Sequence, residues 1–484
     1  MKSSFAWVAL LALCFMVMPT AWGQWSSDPS KNLPLADKGN GNDQVQPKVK
    51  PLPNNQWYVS WFDSDPNSPP PVGYDVYYQR LSAGGVEQFP HDGIMVADLS
   101  NTSTEDYGLD IDTQGHALLA FLDTREGSNQ QVTAAMMGKG GKPLWGKQGV
   151  QLTKDNKGHA VPKIAGTSDG YIVVAWTSVT TNGDVEVQKL NSQGVPQWSK
   201  PVVLHESGYN YTLADLRAAD SGSVIVSWER DKGFSSDHQL RANKLSASGQ
   251  LLWGKKNVVI FDQGSLQLGE YPYFIPDGSG GAVFSWYTSS PILQVFAQHI
   301  RADGSEAFPH NGSAGSTNTS NVRVSPSVSY RAASDETFMF WTEEDGNQVQ
   351  NGVYGQKFDG KGARKWTQTG LAVVPLGSDQ QMFVSNVQIG RGALVFWVDA
   401  PGYGSGTIQA TRLDGKGQVT CAQFPVSSAP ANKSKLSLDL APSGLAAVAW
   451  ADDRIGNNAI YIQNVNRDCS LGQKKSFSAR TSGE

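Results

Sequence analysis

The chain has 484 residues, a formal net charge of −5, a hydrophobic content of 39% and three cysteines. The net charge is only mildly negative, and no segment carries a long run of positively or negatively charged residues. These two observations argue against a nucleic-acid or anionic-membrane partner. Length alone would suggest about three domains, but a regular repeat along the chain favours one large unit.

The N-terminal 23 residues have the pattern of a secretory signal peptide. Lys2 precedes an apolar stretch from Ala6 to Met18, and Ala21-Trp22-Gly23 provides the small residues of a cleavage site. We therefore expect residues 1–23 to be removed and the mature chain, from about Gln24, to be secreted or to lie in the periplasm. The alternative is an uncleaved anchor, although this stretch is short for a bilayer span. After cleavage we expect no membrane span, because no later segment is long and apolar enough.

Eight short apolar runs along the chain each end in an aromatic residue. Successive aromatics are 52 to 60 residues apart. A fixed period of this size indicates a repeat architecture. The eight residues are Trp61, Phe121, Trp176, Trp228, Trp286, Trp341, Trp397 and Trp450.

The sixth repeat shows the pattern most clearly. It predicts extended runs at 326–329, 337–341, 353–358 and 371–374, separated by polar or Gly-rich turns. The second run is apolar on both faces, as in a strand buried between layers. Four short antiparallel strands per repeat are typical of β-propeller blades. We therefore predict an all-β, single-domain, eight-bladed β-propeller of four-stranded antiparallel blades over residues 24–484, with seven blades as the alternative.

The two ends of the chain predict how the ring closes. The last repeat stops after its third strand, Ile460 to Val465, and lacks a fourth. Residues 32–37 resemble the fourth-strand run from Gly93 to Asp98. We therefore expect residues 32–37 to complete blade eight, so that the N-terminal strand closes the ring and covers a sheet edge.

Two cysteines follow the signal peptide, Cys421 and Cys469. An even pair in an exported protein favours one disulfide. Both lie late in adjacent repeats, so a bridge between them would pin the last blade. The alternative is two free thiols.

The run from Trp450 to Gln463 combines a strand that ends in Trp, an Asp-x-Arg loop and a strand bearing Gln. In this respect the chain resembles secreted bacterial β-propeller repeat proteins. The glycine turn and tryptophan of Asp359 to Trp366 are also similar to blades of quinoprotein dehydrogenases and of outer-membrane-assembly propellers. The resemblance implies the fold and leaves function open, because propellers host many unrelated activities. The adjacent cysteines of quinoprotein dehydrogenases are missing.

An acidic residue lies two positions after the strand aromatic in five repeats. By symmetry these side chains would lie at related points on one rim. They are either ligands for a cation or polar molecule near the channel mouth, or local caps that pair with neighbours such as Arg125 and Arg454. The five residues are Asp63, Asp123, Glu343, Asp399 and Asp452.

The histidines show no spacing typical of metal ligands. Phe89 to Gly93 and Phe308 to Gly312 repeat a Phe-Pro-His turn in blades one and five. This repeat is either a paired histidine site or, the favoured interpretation, a shared turn before the fourth strand. We expect no metal and no cofactor, and no motif identifies a catalytic residue.

Three functions remain open. The first is an exported, non-enzymatic, monomeric propeller whose rim loops bind or scaffold an unknown protein or polysaccharide at the cell surface. It is supported by the regular repeat, in which no catalytic motif is embedded. The second is a glycan-binding or glycan-cleaving propeller with its site in the channel-mouth funnel, which clustered carboxylates and arginine would favour and a plugged apolar channel would not. The third, least favoured, is a quinone-dependent dehydrogenase. The segments where a site would be grafted are Asp63 to Gly73, Arg230 to His238 and Gly312 to Asn321.

Overall fold

The computed structural model describes residues 24–39, 41–64, 73–101, 107–125, 129–179 and 182–473. The predicted signal peptide, residues 1–23, and residues 65–72 of the first grafting segment lie outside them. No helix in the described part of the chain has the length and hydrophobicity to cross a bilayer. The short helical turns it contains are Pro53–Asn55, Asp220–Gly222 and Ala332–Ser334.

The strands form eight antiparallel sheets, one for each repeat, which we number as blades one to eight. The prediction of eight blades is confirmed, and the seven-bladed alternative is wrong. The first strand of the chain, β1 (Leu33–Ala36), belongs to blade eight. Blades one to four contain β2 (Gln44–Pro51), β3 (Trp57–Ser64), β4 (Tyr74–Leu81), β5 (Ile94–Asn101); β6 (Gly108–Ile111), β7 (Ala117–Asp123), β8 (Gln131–Met137), β9 (Val150–Gln151); β10 (Gly158–Gly166), β11 (Ile172–Val179), β12 (Asp184–Leu190), β13 (Val202–Leu204); and β14 (Asn210–Ala218), β15 (Val224–Asp231), β16 (Gln239–Leu245), β17 (Val258–Phe261).

Blade five differs because its first strand is broken into two pieces. Both pieces pair with the second strand, and residues 267–273 lie between them. Blades five to eight contain β18 (Ser265–Leu266), β19 (Phe274–Pro276), β20 (Ala282–Ser290), β21 (Gln294–Ile300), β22 (Ser313–Ala314); β23 (Val322–Arg331), β24 (Glu336–Glu344), β25 (Asn351–Phe358), β26 (Leu371–Gly377); β27 (Gln380–Ile389), β28 (Gly392–Ala400), β29 (Gly406–Leu413), β30 (Val419–Ala431); and β31 (Ser437–Leu440), β32 (Ala446–Asp452), β33 (Ala459–Val465).

The first strands lie at the axis of the ring. Each contacts the first strand of the next blade, in a closed cycle through β2, β6, β10, β14, β19, β23, β27 and β31. The second strands pack between neighbouring blades, and the eight strand aromatics predicted from the repeat are all fully buried. The hydrophobic core is therefore a ring of apolar layers between blades, which leaves the two rims and the axis for polar chemistry.

A buried glutamine holds the outer part of several blades together. In blade six, Gln356 Oε1 accepts hydrogen bonds from the backbone N–H groups of Lys357 and Trp366, and its Nε2 donates to Thr367 O. Gln188 makes the same bridge to Trp198 in blade three. Gln188 and Gln356 thus fix the turn before the fourth strand of their blades. Each lies ten residues before the aromatic residue that it bonds, Trp198 or Trp366.

The N-terminal strand closes the ring, as predicted. β1 pairs antiparallel with β33, with Leu33 opposite Ile462 and Ala36 opposite Ile460. Leu35 is fully buried. Upstream of β1, the Trp25 indole is buried and donates to Ala83 O of blade one at 2.9 Å. The segment therefore joins the last blade to the first.

The predicted disulfide between Cys421 and Cys469 is present. It joins the fourth strand of blade seven to the turn after the third strand of blade eight, across 48 residues. In the chain-entropy model, closing a loop of this length in the unfolded state contributes about 4 kcal/mol. Blade eight is thus anchored covalently on one side and by the N-terminal strand on the other.

His91 of blade one contacts the N-terminal segment that closes the ring. Its Nε2 lies 2.8 Å from Asp37 Oδ1, and its Nδ1 lies 3.1 Å from Glu87 Oε2. Hydrogen bonds with Asp37 and Glu87 raise the pKa of His91 to about 10. In blade five, His310 Nε2 lies 3.4 Å from Asp262 Oδ1 in the equivalent arrangement. The two Phe-Pro-His segments are turns before the fourth strand, and each connects its blade to the preceding one.

We expect the His91 contact to stabilise the ring most below neutral pH. A histidine with a raised folded pKa stabilises the protein fully below its unfolded pKa of about 6.5, and this contribution is lost as the pH rises towards 10. Because the His91 side chain is partly exposed, the contribution is about 0.5–1 kcal/mol. Wild type and His91→Gln, compared by urea denaturation, should differ in unfolding free energy at about pH 6 and converge above pH 10. A difference that does not change with pH would contradict this assignment.

Candidate functional site

One rim of the ring, the end at which the second strands finish and the third strands begin, carries the grafting segment predicted in blade four. We call this rim the loop face and the opposite rim, with the tight hairpins between third and fourth strands, the turn face. The first strands also begin at the loop face. All five predicted carboxylates lie at this end of their second strands.

Four of the five carboxylates form ion pairs with a lysine or an arginine. Asp452 accepts from the Trp450 indole, 2.8 Å away, and pairs with Lys433 and Arg454 at 2.8 and 2.5 Å. Burial alone would raise the pKa of Asp452, but its hydrogen bond with Arg454 and the charge of Lys433 outweigh burial and lower the pKa. Asp123 pairs with Arg125 at 3.0 Å. A third, in blade six, is Glu343.

Glu343 lies at the centre of a cluster in which Glu343, Arg323 and Trp341 are buried. Its Oε1 accepts from Arg323 Nη2 at 2.9 Å and from Asn321 Nδ2 at 3.0 Å, and its Oε2 accepts from the Trp341 indole at 2.7 Å. Arg323 has no exposed side-chain surface. Burial lowers the pKa of Arg323, and Glu343 opposes that effect.

The remaining two carboxylates also have partners nearby. Lys38 Nζ lies 2.6 Å from Asp63 Oδ2, and Gln381 Nε2 donates to Asp399 Oδ1 at 2.6 Å. Burial raises the pKa of Asp63, although Lys38 opposes it. All five carboxylates are therefore engaged locally, which favours the interpretation as local caps and ion pairs. A ring of ligands at this rim stays a prediction.

The loop face presents large apolar side chains to solvent. The three most exposed large hydrophobic residues of the described chain are Tyr403 at 96%, Phe234 at 80% and Val349 at 66%. All three lie in connections between second and third strands, in blades seven, four and six. Scattered single apolar residues are normal on a surface. In this protein, by contrast, the three most exposed apolar residues occupy equivalent loops of three blades, all on the loop face.

The axis of the ring is charged. Lys50 Nζ of blade one lies 2.9 Å from Asp110 Oδ1 of blade two. In blade four, Arg217 Nε donates to Asp215 Oδ2 at 2.8 Å. Burial raises the pKa of Asp439 in blade eight, while Lys50 and Arg217 oppose that effect. Blades four and eight stand opposite each other in the ring, so the charges of Arg217 and Asp439 act on each other across the axis.

A second cluster lies in the loop-face part of blade four, where it meets blade five. Glu229, Asp231 and His238 are all buried and offer ligand atoms within 4.8 Å of one another. Burial raises the pKa of Glu229, and His238 opposes that effect. Glu270, in the break of the first strand of blade five, has a pKa well above its ordinary value because of burial, and the charge of Glu229 raises it further.

Sequence reasoning selected the Arg230 to His238 loop but missed this cluster. Glu229 and Asp231 are two residues apart on one strand and therefore share a face. His238 returns to them only through the fold of the loop, so no fixed spacing marks it. The tail from Gly312 to Asn321, also selected, packs on blade six, where Ser316 Oγ donates to Thr369 O at 2.9 Å.

Several solved structures are similar to the chain in three dimensions. No protein-family model matches the chain, and no curated protein sequence matches it. Among solved structures, the chain is similar to the Dos1 propeller, with 12% identity, 90% of this chain and 95% of that chain covered, and a TM-score of 0.49. It is also similar to the polysaccharide lyase Uly1, with 11% identity, coverage of 92% and 93%, and a TM-score of 0.46. A third is an α-L-arabinanase from Penicillium chrysogenum, with 11% identity, coverage of 93% and 98%, and a TM-score of 0.38.

Proposed function

We propose that the protein is an exported β-propeller that binds a macromolecule at the cell envelope or outside the cell through its loop face. The observation that carries this proposal is the placement of Phe234, Val349 and Tyr403, the three most exposed apolar side chains, on the same kind of loop. They belong to three different blades, so a partner that covers them must be large. Burial of one such side chain contributes about 1.5–3 kcal/mol.

The test uses two triple variants of tagged residues 24–484. Phe234→Ser/Val349→Ser/Tyr403→Ser alters the loop face. Leu144→Ser/Val195→Ser/Leu252→Ser alters the turn face, where these residues are 48%, 53% and 49% exposed. Partners captured from envelope and secreted fractions, identified by protein and glycan mass spectrometry, should be retained by the turn-face variant and reduced at least tenfold by the loop-face variant. Equal capture by the two variants would refute the assignment of the loop face.

The proposed export is tested by N-terminal sequencing of the native protein, which should begin near Gln24.

A glycan site in the channel mouth is the second candidate, and the charged axis favours it. Arg217, Asp215, Asp439 and the Lys50–Asp110 pair give the channel the carboxylates and cations that a polar polymer would meet. Glu270 is a half-buried carboxyl group whose pKa burial raises well above its ordinary value, and this shift favours a role as a proton donor. Polysaccharide enriched without a protein partner, together with cleavage that Glu270→Gln abolishes, would place this candidate first.

A further inference from the structure

We propose that Glu229, Asp231 and His238 form a binding site for one divalent transition-metal ion, of the Zn²⁺ or Mn²⁺ class. The three residues are 4%, 7% and 6% exposed, and their ligand atoms lie within 4.8 Å of one another. Two carboxylates and one imidazole suit these ions, whereas Ca²⁺ prefers oxygen ligands throughout. Three protein ligands leave at least one coordination position for water or a bound molecule.

Glu229 provides the observation that a simple ion pair does not explain. Its Oε1 contacts His238 Nδ1. Its Oε2 is buried and has no hydrogen-bond partner, although the side chain is almost completely enclosed. A buried carboxylate oxygen without a partner destabilises the folded protein, and a cation bound at the cluster would remove that cost.

The groups around the cluster orient its ligand atoms as the outer partners of metal sites do. His238 Nε2 lies 3.4 Å from Phe234 O, so a proton on Nε2 leaves Nδ1 directed at Glu229. Asp231 Oδ1 accepts from Gly233 N at 2.6 Å and from Asn210 Nδ2 at 2.9 Å. The cluster is therefore arranged before an ion arrives.

The charge balance also favours a cation. Within the described chain, neither Glu229 nor Asp231 forms an ion pair with a lysine or arginine. The backbone of His238 is itself bonded to blade five, through Ser265 Oγ and Leu266 N. A bound ion would thus lie at the junction of blades four and five.

The site is tested on residues 24–484 without a polyhistidine tag, after dialysis against EDTA. We expect titration calorimetry with Zn²⁺ or Mn²⁺ to give one ion per chain, and Co²⁺ to develop visible absorption from nitrogen and oxygen ligands. Glu229→Gln and His238→Gln should each weaken affinity at least about tenfold. Two controls should bind as wild type: His159→Gln, which removes another buried imidazole, and Asp92→Asn, which alters the partly exposed group Asp37, His91 and Asp92.

Three results would overturn the proposal. The first is the absence of stoichiometric binding of these ions to wild-type protein. The second is wild-type affinity in the folded His238→Gln variant. The third is a loss of ion binding in the Asp92→Asn variant together with retained binding in the Glu229→Gln variant. That result would assign the ion to the group of Asp37, His91 and Asp92. The wild-type titration decides the question even if a variant does not fold.

Discussion

Deletion of residues 24–37 should prevent the ring from closing and leave a protein that aggregates or unfolds at room temperature. The deletion removes Trp25, Leu33 and Leu35 from the core and uncovers the edge of β33. Each of these buried side chains contributes about 1.5–3 kcal/mol. Their sum is comparable to the whole net stability of a typical domain, about 5–15 kcal/mol. Size-exclusion chromatography and urea denaturation followed by tryptophan fluorescence measure the effect.

A synthetic peptide of residues 24–39 is the sharpest control for this deletion. If β1 acts by pairing with β33, the peptide should bind the truncated protein and restore its unfolding midpoint. A peptide of scrambled sequence should not do so, because the register places Leu33 opposite Ile462 and buries Leu35. A truncated protein that stays monomeric with an unchanged midpoint would contradict the role assigned to the N-terminal strand.

Replacing Arg323 by methionine should destabilise the protein by about 3–5 kcal/mol. The substitution leaves the Glu343 carboxylate buried and without its cationic partner, although the Trp341 indole still donates to it. The loss of stability is large because the buried Glu343 carboxylate would then be stabilised neither by water nor by a positively charged partner. The free energy of unfolding from urea denaturation measures it.

The double variant Arg323→Met/Glu343→Gln separates the lost charge from lost packing. It should recover most of the stability, because the uncompensated charge is gone and a neutral amide can still accept from the Trp341 indole. Lys365→Met is the matched control in the same blade, since its pair with Asp359 is 3.6 Å long and largely exposed. We expect it to cost less than about 1 kcal/mol. Equal losses for Arg323→Met and the double variant would contradict the explanation by charge.

The sequence predicted the fold well because the repeat encodes it locally. A strand buried on both faces needs a continuous apolar run, so Trp341 or Trp450 marks the second strand of its blade wherever it occurs. The pairing of β1 with β33 was also predictable, because only one strand was missing and only one segment matched it. The broken first strand of blade five was not predictable. The break at 267–273 depends on its register against β20, which spacing along the chain does not reveal.

The candidate sites were less predictable than the fold, because they depend on contacts between loops. Asp452 and Arg454 are two residues apart, and the sequence suggested their pairing correctly. Arg323 and Glu343 belong to adjacent strands of blade six, where the distance along the chain hides their proximity. His238 meets Glu229 only because the loop between them folds back. In each missed case the two partners belong to one blade, but strand register or the conformation of a loop brings them together, and their spacing along the chain does not reveal this contact.

The pairing of β1 with β33 also constrains the order of events during biogenesis. Leu33 lies near the beginning of the chain and its partner Ile462 near the end, so this contact has one of the largest sequence separations in the molecule. A chain that is synthesised from its N-terminus must keep β1 unpaired until the last blade has been made. Non-local strand pairing is slow, and an unpaired strand edge can recruit other chains. The completion of the ring is therefore a late event in folding, and the newly synthesised chain passes through a stage in which protection by a chaperone would be most valuable.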